Sequence, residues 1–159
     1  MIDVIGKERQ EGDVAVVGRW PDRHLVSAVP PLLLAAVVPG RLPAIRTQVE
    51  TIARDYGLPL ERASDWVTAV NELMANVVRH GGGSGELCLW ADGGLICEVR
   101  DEGPGFAAGS YVDRGDRPAP SSDGGMGLWI ARQMTDGMEI RSGPGGTAVR
   151  IRIGLAGGA

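Results

Sequence analysis

NELMANVVRHG, residues 71–81, sets Glu72, Asn76 and His80 at four-residue intervals inside an otherwise apolar run. Four residues is close to one helical turn, so an acid, an amide and an imidazole share one helical face. Leu73 and Val77 lie about 100° away around the helix axis, so the polar face borders the core rather than opposing it. Two readings of the stretch stand side by side. It is a helix with one solvated side, or it is a site in which a carboxylate serves as general base and an amide oxygen serves a hard cation. Magnesium fits the second, because it takes oxygen ligands and keeps several waters, so one amide plus substrate phosphates suffices. His80 also sits where an imidazole can simply cap helix carbonyls.

Working outward, LERASDWVTAVNELMANVVRHG (60–81) is the strongest helix in the chain, with Trp66, Val70, Leu73 and Val77 as its core face and Gly81 to Gly83 as its end. RLPAIRTQVETIARDYG (41–57) spaces Leu42, Ile45, Val49 and Ile52 helically and stops at Gly57. LLLAAVV (32–38) is a short apolar run after two prolines and reads as a buried strand. GELCLWADGGLICEVRD (85–101) reads as a hairpin turning at Asp-Gly-Gly. If Asp92-Gly93 is its two-residue turn, Cys88 and Cys97 face one another as thiols. GGMGLWIARQMTDG (124–137) opens a third helix, and MEIRSGPGGTAVRIRIGL (138–155) closes the chain as a second hairpin. Residues 107–123 hold many turn formers and no period, which within a compact domain marks a functional or disordered loop.

The expected fold is therefore α+β: a two-layer sandwich with a mixed, mostly antiparallel sheet and the helices on one face. Residues 1–24 mix charge and glycine without sustained period and read as a flexible N-terminal arm. Residues 25–159 read as one domain, since 159 residues leave little room for a second.

Composition narrows the function. The net charge of −4 argues against nucleic acid as the main partner, because phosphate backbones demand a basic face. Lys7 is the only lysine, and no G-x-x-x-x-G-K occurs, so a P-loop is excluded. The two cysteines make neither a disulfide framework nor a zinc site. The charged N-terminus lacks the apolar core of a signal peptide. The longest apolar stretch, 25–38, is broken by Pro30 and Pro31 and is shorter than the ~20 residues a membrane span needs. The expected location is cytoplasmic, with no membrane partner.

Two further motifs join the opening one. In VRDEGPGF (99–106) a strand delivers Asp101 at its end, and Gly103 and Gly105 allow a ligand to approach the backbone. Alone, D-x-G-x-G is also a common turn. In GGMGLW (124–129) glycines lead directly into a helix, whose first amides and dipole favour phosphate. A loop rather than a strand precedes it, which argues against a dinucleotide-binding Rossmann turn.

In this order, E-x-x-x-N with a following His, D-x-G-x-G, a loop, G-x-G opening a helix and Gly146-Thr147 in a terminal strand resemble the GHKL (Bergerat-fold) ATPase superfamily over roughly residues 30–155. The wording of the first two motifs is most similar to the bacterial anti-sigma-factor serine/threonine kinases. The resemblance implies ATP and Mg2+ as cofactors, with Asn76 as the metal ligand and Glu72 as the general base. It implies that Asp101 accepts a hydrogen bond from the adenine amino group with Thr147 nearby. Gly103 and Gly105 would line the adenine pocket, His80 would border the nucleotide, and Gly125, Gly127 and Leu128 would cradle phosphates. The loop 107–123 would be the ATP lid, with Arg114 and Arg117 reaching the terminal phosphate. The implied partners are a sigma factor, contacted by Arg46, and a STAS-domain anti-anti-sigma protein phosphorylated on serine. A second copy of the chain is a further partner candidate. Two alternatives stand beside this one. The first is a non-catalytic, ATP-dependent sequestering module, which would have no need of Glu72. The second is a stand-alone histidine-kinase-type ATPase domain.

Overall fold

The computed structural model describes residues 30–105 and 125–155, together with the backbone of Asp13–Gly18. In chain order the elements are β1 (Asp13–Gly18), β2 (Leu33–Val37), α1 (Leu42–Asp55), α2 (Leu60–His80), β3 (Gly85–Ala91), β4 (Gly94–Asp101), α3 (Gly125–Met134), β5 (Gly137–Gly143) and β6 (Gly146–Gly154). The strands form one six-stranded sheet in the order β1-β5-β6-β4-β3-β2. Every pairing among the described strands is antiparallel, in keeping with the expected α+β fold and its mostly antiparallel sheet. Two hairpins, β3–β4 and β5–β6, impose that direction on the centre, and the longer connections return each remaining strand against its neighbour.

Part of the expected arm forms a strand. Asp13–Gly18, within the stretch expected to be flexible, pairs with β5 from Asp13 opposite Ser142 to Gly18 opposite Gly137. Six residues carry too little pattern to announce a strand, and what recruits them is the free edge of β5, more than a hundred residues away.

One face of the sheet carries the helices. Leu87 and Leu89 of β3, Leu95, Cys97 and Val99 of β4, and Val149, Ile151 and Ile153 of β6 project to that side by strand alternation. They meet the stripe of α2 formed by Trp66, Val70, Leu73, Met74 and Val77, all essentially buried. α1 and α3 pack on either side of α2. Ile45 and Val49 bring α1 into the same core, and Leu128 and Ala131 bring α3. None of the described helices is long and apolar enough to cross a membrane.

The hairpin register differs from a two-residue turn by one position. Ala91 pairs with Leu95, leaving Asp92, Gly93 and Gly94 in the turn, with Gly93 at φ 71°. Cys88 therefore opposes Glu98, and Leu89 opposes Cys97. The slip places the two thiols on opposite faces of the sheet, since neighbouring side chains alternate. Cys97 is in the main core and Cys88 lies half-buried on the other side beside Trp90 and Ile96, so both stay free.

That other face is organised by charge. Glu98 and Arg150 are cross-strand partners, and the arginine donates to Glu98 Oε2 from Nε at 3.1 Å and from a terminal nitrogen at 2.8 Å. Arg100 Nε donates to Glu98 Oε1 at 2.7 Å, and the Arg150 guanidinium also lies 5.5 Å from the Trp90 ring centre. Burial pushes the Glu98 carboxyl up, but Arg150 and Arg100 together outweigh it and hold it below the usual glutamate range. A depressed carboxylate contributes stability that is complete above its unfolded value and disappears as pH falls through its folded value. Glu98→Gln should therefore lower unfolding free energy by about 2 kcal/mol at neutral pH, the size of a charge-assisted bond lost from a half-buried site. Urea titrations at pH 7 and near pH 3 check it: the deficit should shrink at the acid end, where the wild-type glutamate is itself losing its charge.

Candidate functional site

The three sequence motifs meet at one end of α2, where the helix, the end of β4 and the start of α3 converge. Glu72 and Asn76 stand half-buried one turn apart on the α2 face turned toward α3. Their closeness to α3 is measured at Gly127. A Cβ placed there would lie 2.9 Å from Glu72 Oε1 and 3.2 Å from Asn76 Oδ1. Glycine in the first turn of α3 thus lets the helix start come directly against the carboxylate and the amide. Gly125 and Leu128, on the same first turn, are buried, with Leu128 anchoring that turn in the core.

Asn76 carries the clearest sign of a missing partner. Its Oδ1 is buried and accepts no hydrogen bond among the described residues. A buried amide oxygen left unmatched costs about 1–3 kcal/mol, a cost that a bound cation or donor would relieve. An oxygen donor with open valence, beside a carboxylate and a helix N-terminus, matches what magnesium carrying phosphate oxygens requires. The residues present fit such an ion.

The second half of the site is built around Asp101, the last residue of β4. Its Oδ1 accepts the N–H of Gly103 at 2.8 Å, closing the D-x-G turn on itself. The backbone N–H of Thr147, its cross-strand partner on β6, bonds the same carboxylate. Burial pushes the Asp101 carboxyl above the usual aspartate range, against the opposing pull of those two N–H groups. Thr147 Oγ1 in turn shares a hydrogen bond of 2.7 Å with buried Ser142. Gly105 adopts φ 78°, a left-handed conformation, and a Cβ there would strike the carbonyl oxygen of Gly143. The D-x-G-x-G segment is therefore pressed against the β5–β6 turn, backbone to backbone.

The remaining expected residues fall in three groups. His80 ends α2 and is exposed, without a contact to the Glu72–Asn76 pair that would make it a third member. Arg46 is not a simply solvated charge: a terminal nitrogen donates to Asn71 Oδ1 at 2.9 Å, tying α1 to α2 one residue before Glu72. Arg114, Arg117 and the expected lid at 107–123 lie outside the described residues. Sequence reading missed Gly81, which lies against Asp101, and Asn71, whose pairing with Arg46 spans 25 residues.

The start of α3 thus lies against the carboxylate of Glu72 and the unmatched amide of Asn76, while the half-buried carboxylate of Asp101, at the end of β4, lies against the end of the same helix as those two residues, α2. The sequence profile of the histidine kinase-like ATPase domain matches residues 36–153, and the chain belongs to that family. Membership implies ATP as the ligand. Comparison with curated proteins yields no match. Among solved structures, the RsbU and RsbW domains of Rv1364c from Mycobacterium tuberculosis share the fold, with a TM-score of 0.58 and 21% identity. That match covers 79% of this chain and 32% of the other, so this chain spans about a third of its neighbour's length. The histidine kinase domain of the blue-light activated histidine kinase EL346 from Erythrobacter litoralis aligns with a TM-score of 0.47 and 22% identity, over 72% of this chain and 63% of that one.

The unmatched oxygen yields a test that separates function from stability. Asn76→Ala deletes an orphan acceptor and places a better helix former in mid-helix, a gain of up to ~0.7 kcal/mol. The thermal midpoint should hold or rise. ATP affinity measured with magnesium should meanwhile fall to the value measured with a chelator. A variant that melts well below the wild type would mean that Oδ1 already serves the fold.

Proposed function

We propose that the protein is an ATP-dependent serine/threonine kinase that binds a sigma factor and phosphorylates a serine of its STAS-domain antagonist. The observation that carries the reading is the placement of Glu72. It lies one helical turn before the orphan oxygen of Asn76, and both stand beside Gly127 at the start of α3. A module that only binds ATP has no need of a carboxylate there.

Phosphoryl transfer depends on positioning and charge neutralisation more than on covalent help from the protein. Magnesium, when bound, would neutralise phosphate charge. Asn76 Oδ1 would hold the ion, and the first amides of α3, from Gly125 to Leu128, would receive phosphate oxygens. Asp101 would accept from the adenine amino group, with Gly103 and Gly105 leaving room for the base. Glu72 would take the proton of the incoming serine hydroxyl as its oxygen attacks the terminal phosphorus and the bond to ADP breaks. Arg114 and Arg117 of the proposed lid are candidates for the terminal phosphate, and His80 would border the nucleotide from the end of α2. Arg46 would face the sigma factor, its planar fork suiting a carboxylate on that partner while one nitrogen stays on Asn71. A shared fold with a protein containing an RsbW domain is in keeping with this reading.

The test is incubation with terminally labelled ATP, magnesium and the STAS-domain proteins of the same genome. One of them should become labelled on serine. Glu72→Gln should keep ATP affinity and lose transfer by about 10²–10⁴-fold, the usual worth of a positioned general base. If ATP binds and no STAS protein is labelled, the chain is a non-catalytic, ATP-dependent sequestering module instead.

A further inference from the structure

α2 ends in three consecutive glycines, and the structure separates what they do. Gly82 and Gly83 have positive φ, at 86° and 92°, and the N–H of Gly83 returns to the carbonyl of Val77 at 3.1 Å. These two turn the chain out of the helix. Gly81 does not share that task. Its φ of −100° and ψ of 26° are open to any L-residue, and its N–H bonds to the carbonyls of Asn76 and Val77. Nothing in its backbone asks for glycine.

The space around it does. A Cβ at position 81 would lie 2.5 Å from Asp101 Oδ2, 2.6 Å from Cγ and 2.9 Å from Cβ. The relation is reciprocal, since a Cβ on Gly103 would lie 2.7 Å from the carbonyl carbon of Gly81 and 2.8 Å from its Cα. The end of α2 and the D-x-G turn therefore meet through two bare backbones, with the Asp101 carboxylate filling the place where any side chain at 81 would begin. The carboxylate cannot swing aside cheaply, because Gly103 and Thr147 already hold it from the strand side.

We propose that Gly81 is a positioning residue for base selection: by leaving room for Asp101, it holds the carboxylate where it selects a purine with an exocyclic amino group at carbon 6. This rests on the reading of Asp101 as the adenine acceptor. A carboxylate can only accept hydrogen bonds, so it rewards a 6-amino donor and offers nothing to a purine bearing hydrogen there. A methyl group at 81 displaces the carboxylate and removes the reward, while the phosphate end of the site, built from α3 and the middle of α2, is untouched.

The experiment compares ATP with purine riboside triphosphate, which lacks the 6-amino group, on the full chain. Wild-type protein should prefer ATP by about tenfold or more, the scale of one buried donor–acceptor match. In Gly81→Ala that preference should fall toward one, with affinity for the purine riboside nucleotide within about threefold of wild type. Gly145→Ala serves as control, because a Cβ there meets nothing within 4 Å; its preference should stay at the wild-type value. A Gly81→Ala protein that keeps the full preference overturns the proposal, as does one that loses both nucleotides equally. If the wild type itself does not distinguish the two, the acceptor reading of Asp101 falls and takes this proposal with it. Should Gly81→Ala fail to fold, the double variant Gly81→Ala/Asp101→Gly decides: it folds if the carboxylate was the obstacle and stays unfolded if the backbone at 81 needs glycine.

Discussion

α2 has to serve the core and the site with the same 21 residues, and this constraint shapes the rest of the molecule. Its apolar stripe must lie flat on the sheet, where Trp66, Leu73 and Met74 are fully enclosed. In the proposed site, the face beside that stripe must stay open enough for Glu72 and Asn76 to meet a ligand. Both conditions hold only if neighbouring elements approach the polar face without side chains of their own. Gly127 does this at the start of α3, and Gly81 and Gly103 do it where the helix ends against β4. The glycine-rich second half of the chain is thus more than a set of turns. At these positions it lets backbone come directly against Glu72, Asn76 and Asp101.

The same constraint explains where polarity is left unmatched. The orphan oxygen of Asn76 is a small cost in stability held at the junction of two helices. Two carboxylates elsewhere are matched internally. Glu98 is enclosed by Arg150 and Arg100 on the far face of the sheet, and Asp136 accepts from Arg62 at 2.7 Å and from the N–H of Gly154 at 2.7 Å.

Much of this was legible in the sequence. The helices followed from apolar spacing, and the two hairpins from paired apolar runs joined by turn formers. The polar stripe of α2 and the strand-end position of Asp101 followed from spacing, because both are local features. What escaped was set through space. The partnership of β1 with β5 depends on an edge far along the chain. The three-residue turn at 92–94 shifted the hairpin by one, and that moved Cys88 and Cys97 onto opposite faces. Gly81 looked like one more helix stop, since the contact that demands it comes from Asp101, 20 positions later in the chain. The tie from Arg46 to Asn71 escaped because the two residues sit on different helices, 25 positions apart.

The central claim is that one pocket joins a magnesium-dependent phosphate end, at Asn76 and α3, to an adenine-selective end, at Asp101. A calorimetric titration of the wild-type chain tests it most directly, using ATP with magnesium, ATP with a chelator, and GTP with magnesium. The account predicts a single site filled by ATP, at least about tenfold weaker without the metal and weaker again for GTP, whose 6-oxo group would face a carboxylate acceptor. Equal affinity for ATP and GTP, or ATP binding indifferent to magnesium, would contradict it.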